Sequence, residues 1–307
     1  MSAVIAFTVF LIALLILMAT RTPVAVALSM VTVAGVTIFV APGALSQLAT
    51  TTFSLSSNFI LVVVPMFVLM GEVLAATGIG ATMFRAAELW MRRLPGALAI
   101  ATIWACAGFG SVCGSSPVTA STIGAMAVPE MMKRGYHAML ALGSTAAGGT
   151  LGILIPPSIS MVVYGVVTDT SVGHLFIAGI VPGIMLATLM SMTVLVWVWF
   201  RPEWAPPVKE EPTRREKWLA LGAVTPVIVL TALVIGSIFS GAATPTEAGA
   251  VGAFGALFIA LFMRRLTMKV PRISSVKLMM TMTAHGGSGR PVMKSETACG
   301  MPSRAIR

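Results

Sequence analysis

Stretches of about twenty apolar residues recur along this chain, and they limit its fold more than any other feature of the sequence. Each is long enough to cross the roughly 30 Å hydrocarbon core of a bilayer as an α-helix. They occupy residues 3–20, 23–41, 58–77, 174–200, 218–240 and 247–263. Of the 307 residues only 10% are charged, whereas soluble domains carry about 25%. The sequence therefore predicts an all-α polytopic membrane protein with the lipid bilayer as its surroundings.

Positive charge is concentrated near the carboxyl end. Of the formal net charge of +10, most belongs to residues 264–307, which hold nine Lys or Arg against one acid, Glu296. A basic segment directly after a span is explained by the cytoplasmic charge bias and by anionic lipid. We therefore expect no nucleic-acid partner. Because residues 266–307 contain no twenty-residue apolar run, they are predicted to form a disordered basic tail.

The basic loops suggest how the chain is threaded through the bilayer. Short loops rich in Lys and Arg face the cytoplasm, and the loops 42–57, 169–173 and 241–246 contain neither residue. All basic clusters fall on one face only if residues 95–128 enter and leave on the same side. The arm from Val118 to Val128 covers roughly 16 Å as a helix, which is too short to cross. The sequence thus predicts a re-entrant hairpin with CGSSP at its tip.

A second interruption follows the hairpin. Residues 136–168 would form a straight helix of about 50 Å, well beyond one crossing. Glycines that loosen a helix and prolines that break it lie in the middle, within AAGGTLGILIPPS, residues 146–158. We expect two half-helices joined by an unwound segment. Non-helical backbone is tolerated at this depth where protein buries it or a watery cavity borders it, so two adjacent breaks indicate a binding site.

The two interruptions offer ion-binding groups. Ser116 is predicted to cap the second hairpin arm, with Pro117 at its first helical position. Carbonyl and hydroxyl oxygens suit Na⁺, and a half-helix amino terminus favours a carboxylate. Na⁺ is predicted near Ser115, Ser116, Gly149 and Thr150. The predicted ion and substrate site comprises Gly114, Ser115, Ser116, Thr119, Gly149, Thr150, Gly152, Pro156, Pro157 and Ser158. The alternative is that these small residues only allow close helix packing.

Four blocks of the sequence resemble the large membrane subunit of TRAP (tripartite ATP-independent periplasmic) transporters, the DctM-like family. They occur in order, from near Met1 to about Thr267. The blocks are PMFVLMGEVLAATGIG, LPGALAIATIWACAGFGSVCGSSPVTASTIGAMAVPEMMKRGY, AAGGTLGILIPPSISMVVYGVVTDTSVGHLFIAGIVPG and GAATPTEAGAVG. By this resemblance, CGSSPVTAS corresponds to the first hairpin tip and GGTLGILIPPS to the unwound helix.

The resemblance implies an elevator-type transporter of the bacterial inner (cytoplasmic) membrane. Its expected function is Na⁺-coupled import of an organic acid such as a C4-dicarboxylate, with Na⁺ as coupling ion and no other cofactor. The implied partners are a small DctQ-like membrane subunit and a DctP-like periplasmic substrate-binding protein. The expected divisions are scaffold helices 1–78, an interfacial linker helix 79–94, half of a transport domain 95–173, and further membrane helices 174–265 with a cytoplasmic loop 201–217.

The sequence departs from the family pattern after about residue 267. The family continues with a second inverted repeat, which contains another hairpin and another broken helix, and neither is present here. Such transporters build their site between both repeats, so we expect this chain to supply at most half of the pocket and one Na⁺ site. Three interpretations remain: a truncated or frame-shifted transporter subunit, a chain completed by another polypeptide, and a non-transporting remnant or scaffold.

The remaining polar residues give weaker signals. Glu72 is expected to be neutralised by water or Arg85, and Glu130 to lie beside Lys133 and Arg134. The sequence TPTE predicts a capping box between Thr244 and Glu247. An intramembrane enzyme would need a nucleophile with a base, or a metal cluster, and the sequence offers neither. We therefore expect no catalytic residues.

Overall fold

The computed structural model describes residues 3–20, 22–40, 43–206 and 212–262. Every regular element in these ranges is helical. The α-helices are α1 Ala3–Ala19, α2 Val24–Gly35, α3 Ala44–Ser56, α4 Val63–Ala76, α5 Ile79–Met91, α6 Ala97–Cys113, α7 Ser116–Lys133, α8 Ala138–Leu154, α9 Ile159–Val167, α10 Val172–Phe200, α11 Arg214–Phe239 and α12 Pro245–Phe262. A π-helical turn, Val36–Val40, follows α2, and 3₁₀ turns precede α4 (Phe59–Val62) and follow α10 (Pro202–Trp204). The predicted disordered tail lies outside the described residues.

The helices have the lengths expected of an all-α polytopic membrane protein, and that prediction is confirmed. Four are long and apolar enough to span a bilayer: α4 with its 3₁₀ turn, α10, α11 and α12. The bent pair α8 and α9 passes the same test as one broken span. Helices α1 and α2 with its π turn are shorter apolar helices.

Segment 42–57, predicted as a loop, contains the thirteen-residue helix α3. The prediction relied on the lack of charge in this segment. However, ALSQLATTTFSLS contains neither proline nor glycine, and its apolar residues recur at helical intervals. Helix formation here needs no charged residue, so the positions of Lys and Arg gave no indication of α3.

The second hairpin arm is longer than predicted. Helix α7 has 18 residues and continues through Pro129 to Lys133, which corresponds to about 27 Å rather than 16 Å. The added turn carries Glu130 and Lys133, so it extends the polar end and not the apolar segment. The predicted length of the second hairpin arm was therefore wrong. The re-entrant placement stays a prediction, supported by the positions of the basic loops.

The predicted unwound segment is much shorter than residues 146–158. Helix α8 continues through its glycines to Leu154, and only residues 155–158 leave the helical conformation before α9 begins. The two helices are bent by 42° at this break. Gly148, Gly149 and Gly152 are buried against α6 and α7. Close approach of these helices offsets the intrinsic cost of glycine within a helix.

Helix α6 lies at the centre of the fold. Its residues are buried on all sides, and α7, α8, α5 and α10 pack around it. Helix α12 packs on α4, and α11 packs on both α12 and α5. The predicted capping box at the start of α12 is present, since Glu247 Oε2 accepts a hydrogen bond from Thr244 N at 2.7 Å and Thr244 Oγ1 accepts one from Glu247 N at 3.3 Å.

Candidate ion and substrate site at the hairpin tip

The tip of the α6–α7 hairpin lies directly against the break between α8 and α9. Gly114 forms the turn after α6 with a φ of +60°, and its carbonyl oxygen accepts a hydrogen bond from Ile159 N at 3.4 Å. A Cβ at Gly114 would lie 2.9 Å from the carbonyl oxygen of Pro157. Because a side chain would clash there and the positive φ disfavours one, only glycine allows this contact between hairpin and break.

Two further glycines bring the backbone of α6 and α8 together. A Cβ at Gly110 would lie 2.6 Å from Gly152 Cα, and a Cβ at Gly152 would lie 2.7 Å from Thr119 Oγ1 and 3.0 Å from the carbonyl oxygen of Ser115. Gly152 was predicted from the sequence as a site residue, whereas Gly110 was not. The signal was available, because Gly110 and Gly114 are four residues apart, as are Gly148 and Gly152, which is the spacing of closely packed membrane helices.

Helix α7 begins one residue earlier than predicted. Ser115 is the N-cap residue and Ser116 is already helical, which corrects the predicted cap at Ser116. The buried Thr119 donates a hydrogen bond from Oγ1 to the carbonyl oxygen of Ser115 at 2.7 Å. In the described part of the chain the hydroxyls of Ser115 and Ser116 make no hydrogen bond, and both residues are half-buried. Their oxygens thus remain available to a ligand.

The break itself is closed by protein contacts. Pro156, Pro157 and Ser158 are buried. Ser158 precedes α9 and its Oγ donates a hydrogen bond to the carbonyl oxygen of Ile153 at 2.7 Å. This bond satisfies one of the carbonyls that the end of α8 leaves without a helical partner. Ser158 therefore stabilises the break, and its hydroxyl is already engaged.

The two predicted ligands on α8 lie in different environments. Gly149 faces α7, where its Cβ position is 2.6 Å from Ala120 Cβ. Thr150 is exposed, and its hydroxyl donates to the carbonyl oxygen of Ala147 at 2.7 Å. Neither residue forms a hydrogen bond with the hairpin tip among the described residues. The structure thus brings Gly114, Ser115, Thr119, Gly152 and Pro157 together, with Ser116 beside them, and leaves Thr150 on the outer face of α8.

Four helix ends meet at this point: the carboxyl ends of α6 and α8 and the amino ends of α7 and α9. Carboxyl ends present carbonyl oxygens with partial negative charge, and amino ends present amide groups with partial positive charge. The first can coordinate a small cation and the second can hold a carboxylate. This is the chemistry that the arrangement offers.

A group of charged residues closes the opposite end of the hairpin. Glu88 on α5 is buried, and its Oε1 lies 2.8 Å from Arg92 Nη2 and 3.0 Å from Arg134 Nη2. Arg134 also contacts Glu130 Oε1 at 2.8 Å through Nε. We call these four residues the ion cluster. The predicted proximity of Glu130 and Arg134 is confirmed, whereas the burial of Glu88 was not foreseen.

Neighbouring side chains continue the ion cluster. The hydroxyl oxygen of Tyr136 accepts a hydrogen bond from Leu98 N at 3.4 Å, and burial raises the pKa of the Tyr136 phenol. His137 stacks on Trp204 with a ring-centroid distance of 4.1 Å. The start of α6 and the region after α7 are thereby held together, which closes the hairpin at its base.

Glu72 makes no ion pair with Arg85 within the described part of the chain, and its side chain is exposed on α4. The adjacent Gly71 faces the hairpin instead, since a Cβ at Gly71 would lie 2.9 Å from Cys113 Cα. Among the described residues no group of three or more His, Cys, Asp or Glu could hold a metal ion.

The fold and the site define the class of this chain as an all-α polytopic membrane protein with a hairpin and a broken helix in contact. Within this class, residues 11–286 match the model of the tripartite ATP-independent periplasmic transporter, DctM component. The chain belongs to this family. The match extends past residue 267, where the sequence analysis placed the end of the resemblance.

Three relatives illustrate the similarity. The C4-dicarboxylate TRAP transporter large permease protein DctM of Pseudomonas aeruginosa is 38% identical over 225 residues, which cover 73% of this chain and 52% of that protein. The protein of the same name from Rhodobacter capsulatus is 35% identical over 89% of this chain and 64% of its own length. The isethionate TRAP transporter permease protein DctMQ of Oleidesulfovibrio alaskensis is 35% identical over 79% of this chain and 38% of its length.

These relatives are transporter permeases and not enzymes, which confirms the expectation that this chain is not an enzyme. The chain spans between 38% and 64% of the lengths of these three relatives.

Proposed function

We propose that this chain takes part in Na⁺-coupled import of an organic acid as the large permease component of a TRAP transporter. The observation that carries the proposal is the contact between the hairpin tip and the α8–α9 break, where Gly114 O accepts a hydrogen bond from Ile159 N. Half-helices that end against each other inside a membrane protein recur in secondary transporters, where they bind coupling ions and anionic substrates. Family membership supports the same conclusion.

The substrate class follows from the charge of the site. The amino ends of α7 and α9 both meet at the break, and each favours a negatively charged group. Two relatives are named for C4-dicarboxylates and another for isethionate, which are small organic anions. We therefore propose a small organic acid as the substrate, with a C4-dicarboxylate as the first compound to test.

We propose that Na⁺ binds at the hairpin tip near Ser115 and Ser116, whose hydroxyls are unengaged in the described part of the chain. The carbonyls at the end of α6 supply further oxygens of the kind that suits Na⁺. Gly149 and Thr150, which were predicted with these serines, act differently in this proposal. Gly149 allows α7 to approach α8. Thr150 is exposed on the outer face of α8 and is not one of the proposed Na⁺ ligands.

The proposed partners are a small DctQ-like membrane subunit and a DctP-like periplasmic substrate-binding protein, and the proposed location is the bacterial inner membrane. The words tripartite and periplasmic in the name of the matched family support the proposed partners and the proposed location. The chain spans 52% of the length of the Pseudomonas relative. The competing function is a non-transporting scaffold.

Uptake by proteoliposomes tests the proposal. The purified chain is reconstituted with the two partner subunits, and accumulation of a labelled C4-dicarboxylate is measured with an inward Na⁺ gradient and with K⁺ in its place. We expect accumulation that requires Na⁺. Its absence with each of several organic acids would reject transport by this chain and leave the scaffold function.

Calorimetry of the isolated chain separates ion binding from transport. We expect Ser116→Ala to weaken Na⁺ binding on the order of tenfold, as removal of one oxygen ligand should. Ser29→Ala in α2 is the matched control, because that exposed hydroxyl bonds only to Ala25 O at 2.8 Å. Equal Na⁺ affinity in both variants would exclude Ser116 as a ligand.

A further inference from the structure

Two exposed tryptophans from separate helices meet at one edge of the fold. Trp90 on α5 and Trp218 on α11 form an edge-to-face pair with a centroid distance of 6.2 Å and an interplanar angle of 82°. Their exposed fractions are 46% and 66%. Indole rings with one apolar face and one polar N–H prefer the boundary between hydrocarbon and water. The pair therefore marks the level of the membrane surface on this side of the molecule.

Basic residues lie on the same part of α11. Arg214 and Arg215 are four and three residues before Trp218, a spacing that places them on its face of the helix. Both arginines are exposed. The single acid of this turn, Glu216, is engaged at its own helix end, where Oε2 accepts a hydrogen bond from Thr213 N at 3.0 Å. Among the described residues, the surface beside the tryptophan pair thus carries an excess of positive charge.

These arginines do not stabilise the helix in which they lie. The amino end of a helix has partial positive charge, so cations in the first turn are unfavourable there and anions are favourable. A bound anionic group would interact well with both the arginines and the helix end. Arginine also suits phosphate recognition, because its planar guanidinium can donate two parallel hydrogen bonds.

We propose that Trp90, Trp218, Arg214 and Arg215 form a binding site for the headgroup of an anionic phospholipid. The arginines bind the phosphate, and the indole pair lies beside the glycerol region. The aromatic pair favours a lipid over free phosphate, because exposed indoles beside the charges add affinity only for a ligand with an apolar part. The site lies on α5 and α11 and uses no residue of the hairpin tip or the α8–α9 break, so lipid binding can be tested without any measurement of transport.

Native mass spectrometry of the delipidated full chain tests the proposal. The chain is titrated with phosphatidylglycerol and with phosphatidylcholine of the same acyl chains, and the affinity of the first bound lipid is compared. We expect a preference for phosphatidylglycerol. The double variant R214Q/R215Q should weaken phosphatidylglycerol binding by about fivefold for each arginine, as expected for one basic residue at an anionic membrane surface.

The double variant K133Q/R201Q is the matched control. It removes the same charge from exposed positions at the ends of α7 and α10, helices that do not carry the Trp90–Trp218 pair, and we expect it to retain the affinity of the unmodified chain. Equal losses in both double variants would overturn the proposal, because any basic residue would then act alike. Displacement of phosphatidylglycerol by millimolar inorganic phosphate would also overturn it in favour of a simple anion site.

Trp218→Ala provides a second measurement that does not alter charge. Trp218 is largely exposed, so its replacement should leave the thermal unfolding temperature nearly unchanged, while the preference for phosphatidylglycerol falls several-fold. An unchanged preference in this variant would contradict the role of the tryptophan pair.

Discussion

The glycines at the contact between the hairpin tip and α8 are important because they have no side chain. Gly110, Gly114 and Gly152 each lie where an added Cβ would be within 3.0 Å of another backbone or side-chain atom. Interiors are packed as densely as organic crystals, so one additional methyl group must displace its neighbours. The contact between hairpin and break therefore depends on the absence of side chains at these positions.

Gly152→Ala is expected to destabilise the folded protein by about 1–3 kcal/mol, the usual cost of overpacking. The new methyl group would lie 2.7 Å from Thr119 Oγ1 and 3.0 Å from Ser115 O. Thermal unfolding in detergent, followed by tryptophan fluorescence, measures the change. If the site binds Na⁺ as proposed, the variant should also bind it more weakly.

Gly143→Ala in the same helix is the control for this variant. Nothing lies within 4 Å of a Cβ at Gly143. Alanine is the better helix former, so we expect a gain of about 0.5–1 kcal/mol. Equal effects at both positions would show that the close approach at Gly152 is unimportant.

Ser158→Ala should cost about 1 kcal/mol, because it removes the only described donor to Ile153 O and leaves that carbonyl near a buried helix end. Ser160→Ala, an exposed position in α9, is expected to change little. Both are compared by thermal unfolding. A neutral Ser158→Ala would mean that water replaces the hydroxyl.

Tyr136 predicts a dependence of stability on high pH. Its folded-state pKa lies above the ordinary value of 10.0 because burial disfavours the phenolate. The contribution of the neutral phenol is therefore complete below pH 10 and is lost as the pH rises through the folded-state pKa. Tyr136→Phe should remove this loss. Tyr164→Phe, at an exposed position, should retain it; identical profiles for both variants would contradict the assignment.

At the scale of elements, the ion cluster joins the linker helix α5 to the hairpin. Glu88, with 9% of its side chain exposed, contacts Arg92 on its own helix and Arg134 beyond α7. Removing a carboxylate that two arginines share in a largely buried place costs more than removing one partner of a surface pair, which is worth about 0–1 kcal/mol. The cluster therefore forms a polar connection between these two elements.

Glu88→Gln is expected to lower the free energy of unfolding by about 2 kcal/mol, because it leaves two partly buried arginines without their shared charge. Glu203→Gln, at an exposed position after α10, should have an effect near zero. Thermal unfolding at low and high salt measures both. A loss at Glu88 that disappears at high salt would indicate a screened surface interaction instead.

The elements were predictable where a long apolar pattern defines them. The spans that became α4, α10, α11 and α12 were recognised from length alone, because a uniform apolar run of this size has few other uses. Helix α3 was missed and the ends of α7 and α8 were misplaced. Their extents are determined by packing: Pro129 and Gly149 would interrupt an isolated helix, but neighbouring helices hold both within one.

The site was predicted in part for a similar reason. Gly114, Ser115 and Pro157 were recognised because turn residues between apolar arms are unusual, and the structure places them together. The rotational position of Thr150 could not be read from the sequence, since a shift of one residue turns a helical side chain by about 100°. The role of Glu88 depends on Arg134, which is distant in sequence.

At the scale of the whole molecule, α5 is shared between two groups of helices. The ion cluster connects it to the hairpin, and the Trp90–Trp218 contact connects it to α11. Spin labels at Arg85→Cys and Ala125→Cys, on exposed parts of α5 and α7, should report a distance that Na⁺ leaves unchanged. Labels at Arg85→Cys and Leu219→Cys should report one that changes, if the hairpin moves in the elevator manner that the family resemblance implies. A changed distance in the first pair and an unchanged distance in the second would show that α5 moves with α11.

This difference in connection determines where the fold can slide. Separating α5 from the hairpin would break its packing on α6 and α7 and part Glu88 from Arg134, whereas separating α5 from α11 would release an aromatic edge that already faces the surroundings. We expect the second step to cost less, because α5 packs on two helices of the hairpin and on the single helix α11 on the other side. A rigid-body displacement of the hairpin would therefore move α5 with it. The sliding surface would then lie between the two tryptophans.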